Sequence, residues 1–366
     1  MMKNVVFYLA TSTTLLGLSG AAMADSPYFS FKDGDGFKRF SVSMGALYVK
    51  PTGNAQPIHA STSVAKGESA KVGDISIDEV KNNLDPNMDP NLSTWFVDFL
   101  DKIGQNTLPG ALSGSANIYG IDEWNNPNTG LEADDVTTLG IMTNYFFTDN
   151  VSLEIKAGIP PKVDLIGKGK IYAPLSASAH PSIDLPIIGD VNLPSIDLKK
   201  QILITDLAAH GNAAEARAWT PAFELQYHFG KTGVNKFRPY IGLGMMYAYF
   251  NELKINPAIE KDLIDAGHMI VNIKNGQAGA ALDGKPSSGN PRVKVKASDA
   301  IAPVATAGFT YDFNDRWFAV GSVSYAHLKT DTTITVNDDK YGQLISAKSD
   351  IEINPILGYA GVGYRF

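Results

Sequence analysis

Glu224, Gln226 and His228 alternate along the segment FELQYHF, so in an extended chain their side chains share one face. A carboxylate beside an imidazole is a pairing used for general acid–base chemistry. Nothing nearby completes a catalytic set. The six histidines are scattered, at 59, 180, 210, 228, 268 and 327, and neither H-E-x-x-H nor G-x-S-x-G occurs. The chain has 0 Cys, which excludes thiol catalysis, iron–sulfur clusters and cysteine zinc sites. KDGDGF and NNLDPNMDPN carry closely spaced carboxylates, but neither matches the calcium loop D-x-[DN]-x-[DN]-G…E, and turns are the expected use. No catalytic residue, metal or cofactor is assigned, and the chain is not expected to be an enzyme. The Glu224–His228 face fits a structural network of hydrogen bonds and ion pairs.

The elements that carry this face are strands. Leu139, Ile141, Thr143, Tyr145 and Phe147 alternate with Gly140, Met142, Asn144 and Phe146 up to a turn at 148–150, and Val151, Leu153 and Ile155 then alternate with Ser152, Glu154 and Lys156. Period-2 runs joined by turn residues signal a hairpin. Phe223, Leu225, Tyr227 and Phe229 repeat the pattern across GKTGVNK to Ile241, Leu243, Met245 and Tyr247. Ala305, Ala307, Phe309, Tyr311 and Phe313 do so across Asn314-Asp315 to Trp317, Ala319 and Gly321. Phe40 to Tyr48 and the closing NPILGYAGVGYRF add single strands, which makes eight.

Short turns at 148–150, 230–236 and 314–316 alternate with long connections at about 52–132, 163–213, 253–297 and 330–350. That asymmetry predicts an all-β fold: an eight-stranded antiparallel transmembrane β-barrel with short periplasmic turns and long extracellular loops. Tyr145, Phe147, Tyr227, Phe229, Tyr311, Phe313, Trp317, Tyr364 and Phe366 cluster at the short-turn end, as a periplasmic aromatic girdle would. The opposite parity makes Glu154, Lys156, Glu224, Gln226, His228, Ser322, Ser324 and Arg365 lumen-facing. A soluble lipocalin-like barrel would need that face charged and solvated; it is instead rich in Gly, Ser, Ala and Thr.

Lys3, the apolar run Val5 to Leu18 and Ala22-Met23-Ala24 read as a signal peptide over residues 1–24, leaving 25–366 as the barrel with its loop insertions. The net charge of −7 argues against a nucleic-acid partner. The expected location is the outer membrane of a Gram-negative bacterium. The expected partners are outer-membrane lipids and the barrel-assembly machinery acting through the C-terminal strand.

TNYFFTDNVSLEIKAGIPPKVDLIGKG, NKFRPYIGLGMMYAYF, DFNDRWFAVGSVSYAHLKTDTT and the terminal GVGYRF together resemble the OmpW family of Gram-negative outer-membrane proteins, with FRPYIGLG the most specific block. The resemblance covers all eight strands and little of the first three long connections. It implies a narrow, largely apolar lumen and uptake of small hydrophobic molecules that leave sideways through the wall. Two features depart from it: the polar Glu154, Lys156, Ser322 and Ser324 near mid-height, and the length of the loops. Eight strands of roughly 9–11 residues use only about 80 residues. The expected function is passive uptake of small, mainly hydrophobic molecules. The alternative is a non-transporting anchor whose loops form a receptor or adhesion surface, and a lipid-acting enzyme ranks last.

Three loop features carry expectations of their own. NLSTWFVDFLDKIG reads as a helix capped by Ser93, with Trp95, Phe96, Phe99, Leu100 and Ile103 on one face that packs into a small core, plugs the mouth or holds a ligand. PSIDL at 181–185 and 194–198 suggests two arms of one hairpin. Pro160, Pro161 and Pro221 lie at similar height on neighbouring strands, where three missing N–H donors either open a lateral exit or end the pairing at the loop base.

Epitope tags within the four long connections are expected to be reachable from outside intact cells, and tags at Asp149 or Asn314 to be protected. Surface labelling of the short turns would reverse the orientation.

Overall fold

The computed structural model describes residues 33–185 and 189–366; the leader expected over residues 1–24 lies outside them. Eight strands form the barrel: β1 (Phe40–Lys50), β2 (Val136–Phe146), β3 (Val151–Gly158), β4 (Ala222–His228), β5 (Phe237–Ile255), β6 (Ala300–Asp312), β7 (Trp317–Ala326) and β8 (Ile356–Arg365). Each pairs antiparallel with the next, and β1 pairs with β8, from Ser41↔Arg365 to Lys50↔Ile356, so the ladder closes on itself. Closure is what hydrocarbon demands of strands, because an unpaired backbone group there has no water to turn to. Among the described residues no helix is long and apolar enough to cross a membrane.

The outer face is a belt of exposed apolar residues, including Leu243 at 70 %, Ile301 at 69 % and Val323 at 58 %. Such exposure would be a liability in water and is normal against lipid. Rings border the belt at both edges. At the short-turn edge all nine girdle residues lie on the outward parity, and they pack pairwise, as Tyr145 on Phe147, Tyr311 on Phe313 and Trp317 on Tyr364. Tyr48, Tyr247, Tyr249, Trp219 and Tyr325 mark the upper edge. Ten residues separate Phe237 from Tyr247, about 33 Å along a strand. A tilt of roughly 35–45° reduces that to the ~25 Å of an outer-membrane apolar band.

The long connections fold into a cap with its own core. Barrel strands run on into it: β5 continues to Ile255, and β7 and β8 bend at 327–328 and 353–355 into the hairpin Lys329–Asp338/Gly342–Glu352. That hairpin joins Arg292–Ala297, Ile58–Thr62 and Glu123–Asn126 in a five-stranded sheet. Ile196–Asp206, Lys170–His180, Ser115–Tyr119 and Glu68–Lys71 form a second sheet. Helix α1 (Pro90–Ile103) and helix α2 (Pro257–Lys274) complete the layers. The α2 residues Ile259, Leu263, Ile270 and Ile273 are buried in the same core as Ile345, Leu198 and Ile118. Lys274, in the last turn of α2, donates to Ser63 O at 2.7 Å and to both Glu68 carboxylate oxygens at 2.8 Å, which ties the helix end to the sheet.

Two loop expectations change. Helix α1 starts one turn earlier than Ser93 implies: Asp89 is the cap and accepts from Asn91 N at 2.8 Å. Pro90 takes the first helical position, where its missing N–H costs nothing. Phe96 and Leu100 are buried in the cap core, whereas Trp95 lies one step round the helix, 42 % exposed and stacked on Phe99. The two PSIDL copies do not pair with each other. Ser182–Leu185 pairs with Gly189–Asn192, while Ile196–Leu198 pairs with Ala177–Ala179, because the 11-residue strands Lys170–His180 and Ile196–Asp206 impose a register that the short repeat cannot. The acidic clusters lie in turns, where Asp85 accepts from Asn87 N at 2.9 Å and Gly34 O accepts from Phe37 N at 3.2 Å, while Asp33 reaches across to accept from Asp149 N at 3.1 Å.

Leu100→Ala leaves a cavity in the cap core and should destabilise it by about 2–5 kcal/mol. The expected result is faster proteolysis within residues 52–132 in a barrel that still migrates as a folded, heat-modifiable band. Unchanged proteolysis would show that the cap does not depend on this core.

Candidate functional site: a lumen with a sealed floor and a side window

The lower lumen is filled by charges in pairs. Arg238, 1 % exposed, lies 3.0 Å from Asp149 Oδ1 through Nη1, donates Nη1–H to Thr232 Oγ1 at 2.7 Å and donates Nη2–H to Asp149 O at 2.6 Å. Asp149 also accepts from Thr232 N at 2.8 Å and Gly34 N at 3.2 Å, so the segment entering β1 is fastened onto the floor. Arg365 donates to Asp312 Oδ1 at 2.8 Å and stacks over Phe318 at 4.4 Å. His228 is buried between the rings of Phe146 and Tyr240, and its Nε2 bonds to Ser152 and Gln226 at 3.2 Å. Glu224 is engaged elsewhere, with Lys156, so the acid–base pairing of Glu224 and His228 does not form. Between these groups the interior narrows to about 10 Å³, room for at most about one water.

Fitting such side chains into eight strands requires glycine opposite them. A Cβ on Gly244 would come 2.8 Å from Glu224 Cγ, and one on Gly308 would come 2.5 Å from the Tyr240 ring. Gly242 and Gly244 of IGLG thus leave the space that Glu224 occupies, and Gly308 on β6 leaves the space of the Tyr240 ring.

One rung higher the chemistry changes. Lys156 Nζ lies 2.6 Å from Glu224 Oε1 and 3.5 Å from Glu154 Oε1, and it donates to Thr306 Oγ1 at 2.8 Å and Ser324 Oγ at 3.0 Å. Ser322 and Ser324 are buried on the same level. Above this layer opens a cavity of about 290 Å³. Its walls are mainly apolar, with Met142, Met246, Val304 and Leu357 among them, and its base carries Lys156, Glu224, Ser322 and Ser324. A second apolar cavity, of about 110 Å³ inside the cap, shares Val49, Pro161, Met246 and Leu357 with it.

The cavity reaches the barrel wall at the three prolines. β3 pairs with β4 only from Val151↔Tyr227 to Lys156↔Ala222. Pairing resumes higher up, between Lys162–Lys168 and Asn212–Trp219, at Lys162↔Arg217. Between the two ladders Ala157–Pro160 faces Trp219–Pro221 as a window, with Arg217 Nη1 to Pro160 O (3.1 Å) and Ala218 N to Pro161 O (3.0 Å) along its upper rim. Pro160, Pro161 and Pro221 all line the cavity. Tyr247 N donates to Pro221 O at 2.9 Å, which puts the window at the upper aromatic edge of the belt. The prolines therefore interrupt the wall rather than terminate it.

All eight residues expected in the lumen lie inside the barrel, but they serve two layers: Gln226, His228 and Arg365 belong to the floor, while Lys156, Glu224, Ser322 and Ser324 form the cavity base with Glu154 just beneath. Arg238, Tyr240, Asp149 and Asp312 were missed. Arg238 and Tyr240 follow from the parity of Gly242 and Gly244 read backwards along β5. Asp149 sits in a turn, where no period aims it.

This architecture is that of a small outer-membrane barrel with a closed periplasmic half, an upper cavity and a folded extracellular cap. The OmpW family profile matches residues 110–284 and 283–366, and the chain belongs to the OmpW family. Its place is therefore the Gram-negative outer membrane. It is 25 % identical over 241 residues to outer membrane protein W of Vibrio cholerae, covering 66 % of this chain and 79 % of that protein. Among solved structures it is similar to OprG of Pseudomonas aeruginosa, with 16 % identity, a TM-score of 0.44 and coverage of 92 % and 99 % of the two chains. It is also similar to AlkL in lipid bilayers, with 14 % identity, a TM-score of 0.40 and coverage of 94 % and 95 %.

Lys156→Met strands two buried carboxylates and should destabilise the barrel by about 3–5 kcal/mol in urea unfolding from lipid vesicles, as removing one partner of a buried pair does. Combining it with Glu154→Gln and Glu224→Gln should restore most of the loss. A single variant as stable as the parent would mean that the ion pair is not what holds this layer.

Proposed function

We propose that this protein passes small, mainly apolar molecules from the cell surface through its cap and upper lumen, and releases them sideways through the window into the outer leaflet. The carrying observation is that one mainly apolar cavity is bounded below by paired charges and at its side by a gap in the backbone ladder. An apolar solute entering there meets an ionic floor that offers it no path downward. Sideways it meets lipid without crossing water, and its desolvation is preserved. The shared lining of the cap cavity and the barrel cavity supports entry from above.

The folded cap favours a second reading, a barrel anchor that displays a receptor surface. The two readings separate on one measurement, uptake of labelled apolar solutes into proteoliposomes or cells. Replacing Pro160, Pro161 and Pro221 with valine supplies the missing donors and should let the seam zip, slowing uptake several-fold while the barrel remains heat-modifiable. Unchanged uptake in that triple variant would remove the lateral exit, and no protein-dependent uptake in the parent would leave the anchor reading.

A further inference from the structure

We infer that Arg217 sets the size of the side window: held by Glu252, it ties down the upper rim and limits the cross-section of the apolar solutes that leave. The inference rests on the lateral-release reading above and names its specificity-determining residue.

The opening is visible in its two flanks. Ile159 and Trp219 lie on the outward parity of the wall, 56 % and 44 % exposed, and both also line the cavity. The lower edge of the window is backbone, the rung Lys156↔Ala222. The carbonyls beside the gap are short of backbone donors, because Pro160, Pro161 and Pro221 have no N–H to give. Side chains serve two of them. Thr138 donates Oγ1–H to Ile159 O at 2.7 Å, and Arg217 donates Nη1–H to Pro160 O at 3.1 Å. Pro160 precedes Pro161 on the rising strand, so the Arg217 bond is the one next to the opening. The tie above it, Ala218 N to Pro161 O at 3.0 Å, belongs to the backbone. Loss of the arginine bond leaves that tie as the rim, one residue or about 3.3 Å further up the strand.

Arg217 is itself built into place. Its Nε lies 3.0 Å from Glu252 Oε2, and its side chain is 29 % exposed. Glu252 keeps a left-handed backbone, φ 51°, which a non-glycine residue adopts at a cost. It sits in a bulge, where the pairing of β5 with Asn212–Trp219 slips from Arg217↔Asn251 to Glu215↔Lys254. A bulge re-aims a side chain, and here the carboxylate it delivers meets Arg217. The neighbouring cations are placed elsewhere: Lys162 and Lys254 share Glu215, at 3.5 and 3.4 Å. Arginine suits the post, since its rigid fork of donors can face a carboxylate and a carbonyl together, whereas a lysine ammonium is one point charge. The strained residue thus steadies the one edge of the window that a side chain, and not a ladder rung, holds in place.

The test follows protein-dependent uptake of two isotopically labelled hydrocarbons, linear octane and cage-shaped adamantane, into cells producing the full chain or a variant. Arg217→Met removes the donors and is expected to raise the adamantane-to-octane ratio about fivefold, the scale of one net hydrogen bond, with octane uptake little changed. Glu252→Gly relieves the backbone strain but frees Arg217, and should move the ratio the same way without loss of barrel stability. Arg217→Lys keeps a donor and should restore part of the discrimination. Placed in the background of Pro160→Val, Pro161→Val and Pro221→Val, Arg217→Met should no longer alter the ratio. An unchanged ratio in a heat-modifiable Arg217→Met, or one that rises equally in the valine background, overturns the assignment to Arg217 while octane uptake leaves transport standing. If Arg217→Met does not fold, the ratio in Glu252→Gly decides. Octane uptake that the triple valine variant does not slow removes the lateral exit itself, and this inference with it.

Discussion

A strand in hydrocarbon must find a partner for each of its backbone N–H and C=O groups, and the structure follows from how that demand is met and where it is relaxed. β1 meets β8 over ten rungs, and the ladder closes. With no free edge, the membrane section needs neither disulfide nor buried helix, in keeping with a chain of 0 Cys. The described exception lies where three prolines withhold donors, between Lys156↔Ala222 and Lys162↔Arg217, at the level of the upper aromatic edge. A gap there adjoins the interface, where unpaired carbonyls are tolerated better than at mid-bilayer.

Closing only eight strands leaves a lumen too narrow for both water and large side chains, and the two halves resolve this differently. Below, Arg238–Asp149 and Arg365–Asp312 fill the space with complementary charge, and glycines on facing strands make the room. Above, the same parity positions carry Met142, Met246 and Leu357, and a cavity remains. Lys156 stands at the boundary and neutralises part of a carboxylate pair that the β3–β4 register forces together. The floor and the cavity are therefore coupled: the charge layer that blocks the axis is also the surface on which a solute would rest.

The cap extends the barrel's logic into water. Its strands continue β5, β7 and β8 past the membrane, bend, and then bury an apolar core between two sheets with α2 across it. In water an open sheet edge can be solvated, so closure is no longer required. Burial of apolar surface takes over as the organising force.

Much of this was legible in the linear chain. Alternation fixes which side of a strand each residue occupies, so the eight strands, the short-turn girdle and the inward set from Glu154 to Arg365 could be read directly, since the period of two is a local property of extended backbone. The FRPYIGLG block pointed to the family, and the prolines marked the seam. What the sequence did not determine depends on contacts between distant residues. No period reveals that Asp149 in a turn pairs with Arg238 on the following hairpin, that Lys156 serves Glu224 rather than leaving it to His228, or that pairing resumes above Pro161. The cap was least legible: its strands are short, its helices are capped by residues such as Asp89 that also read as turns, and the PSIDL repeats look like partners until longer strands set the register. Side-chain parity is written residue by residue. Which parities meet across a lumen, about 70 to 90 residues apart in the chain, is decided by closure of the barrel.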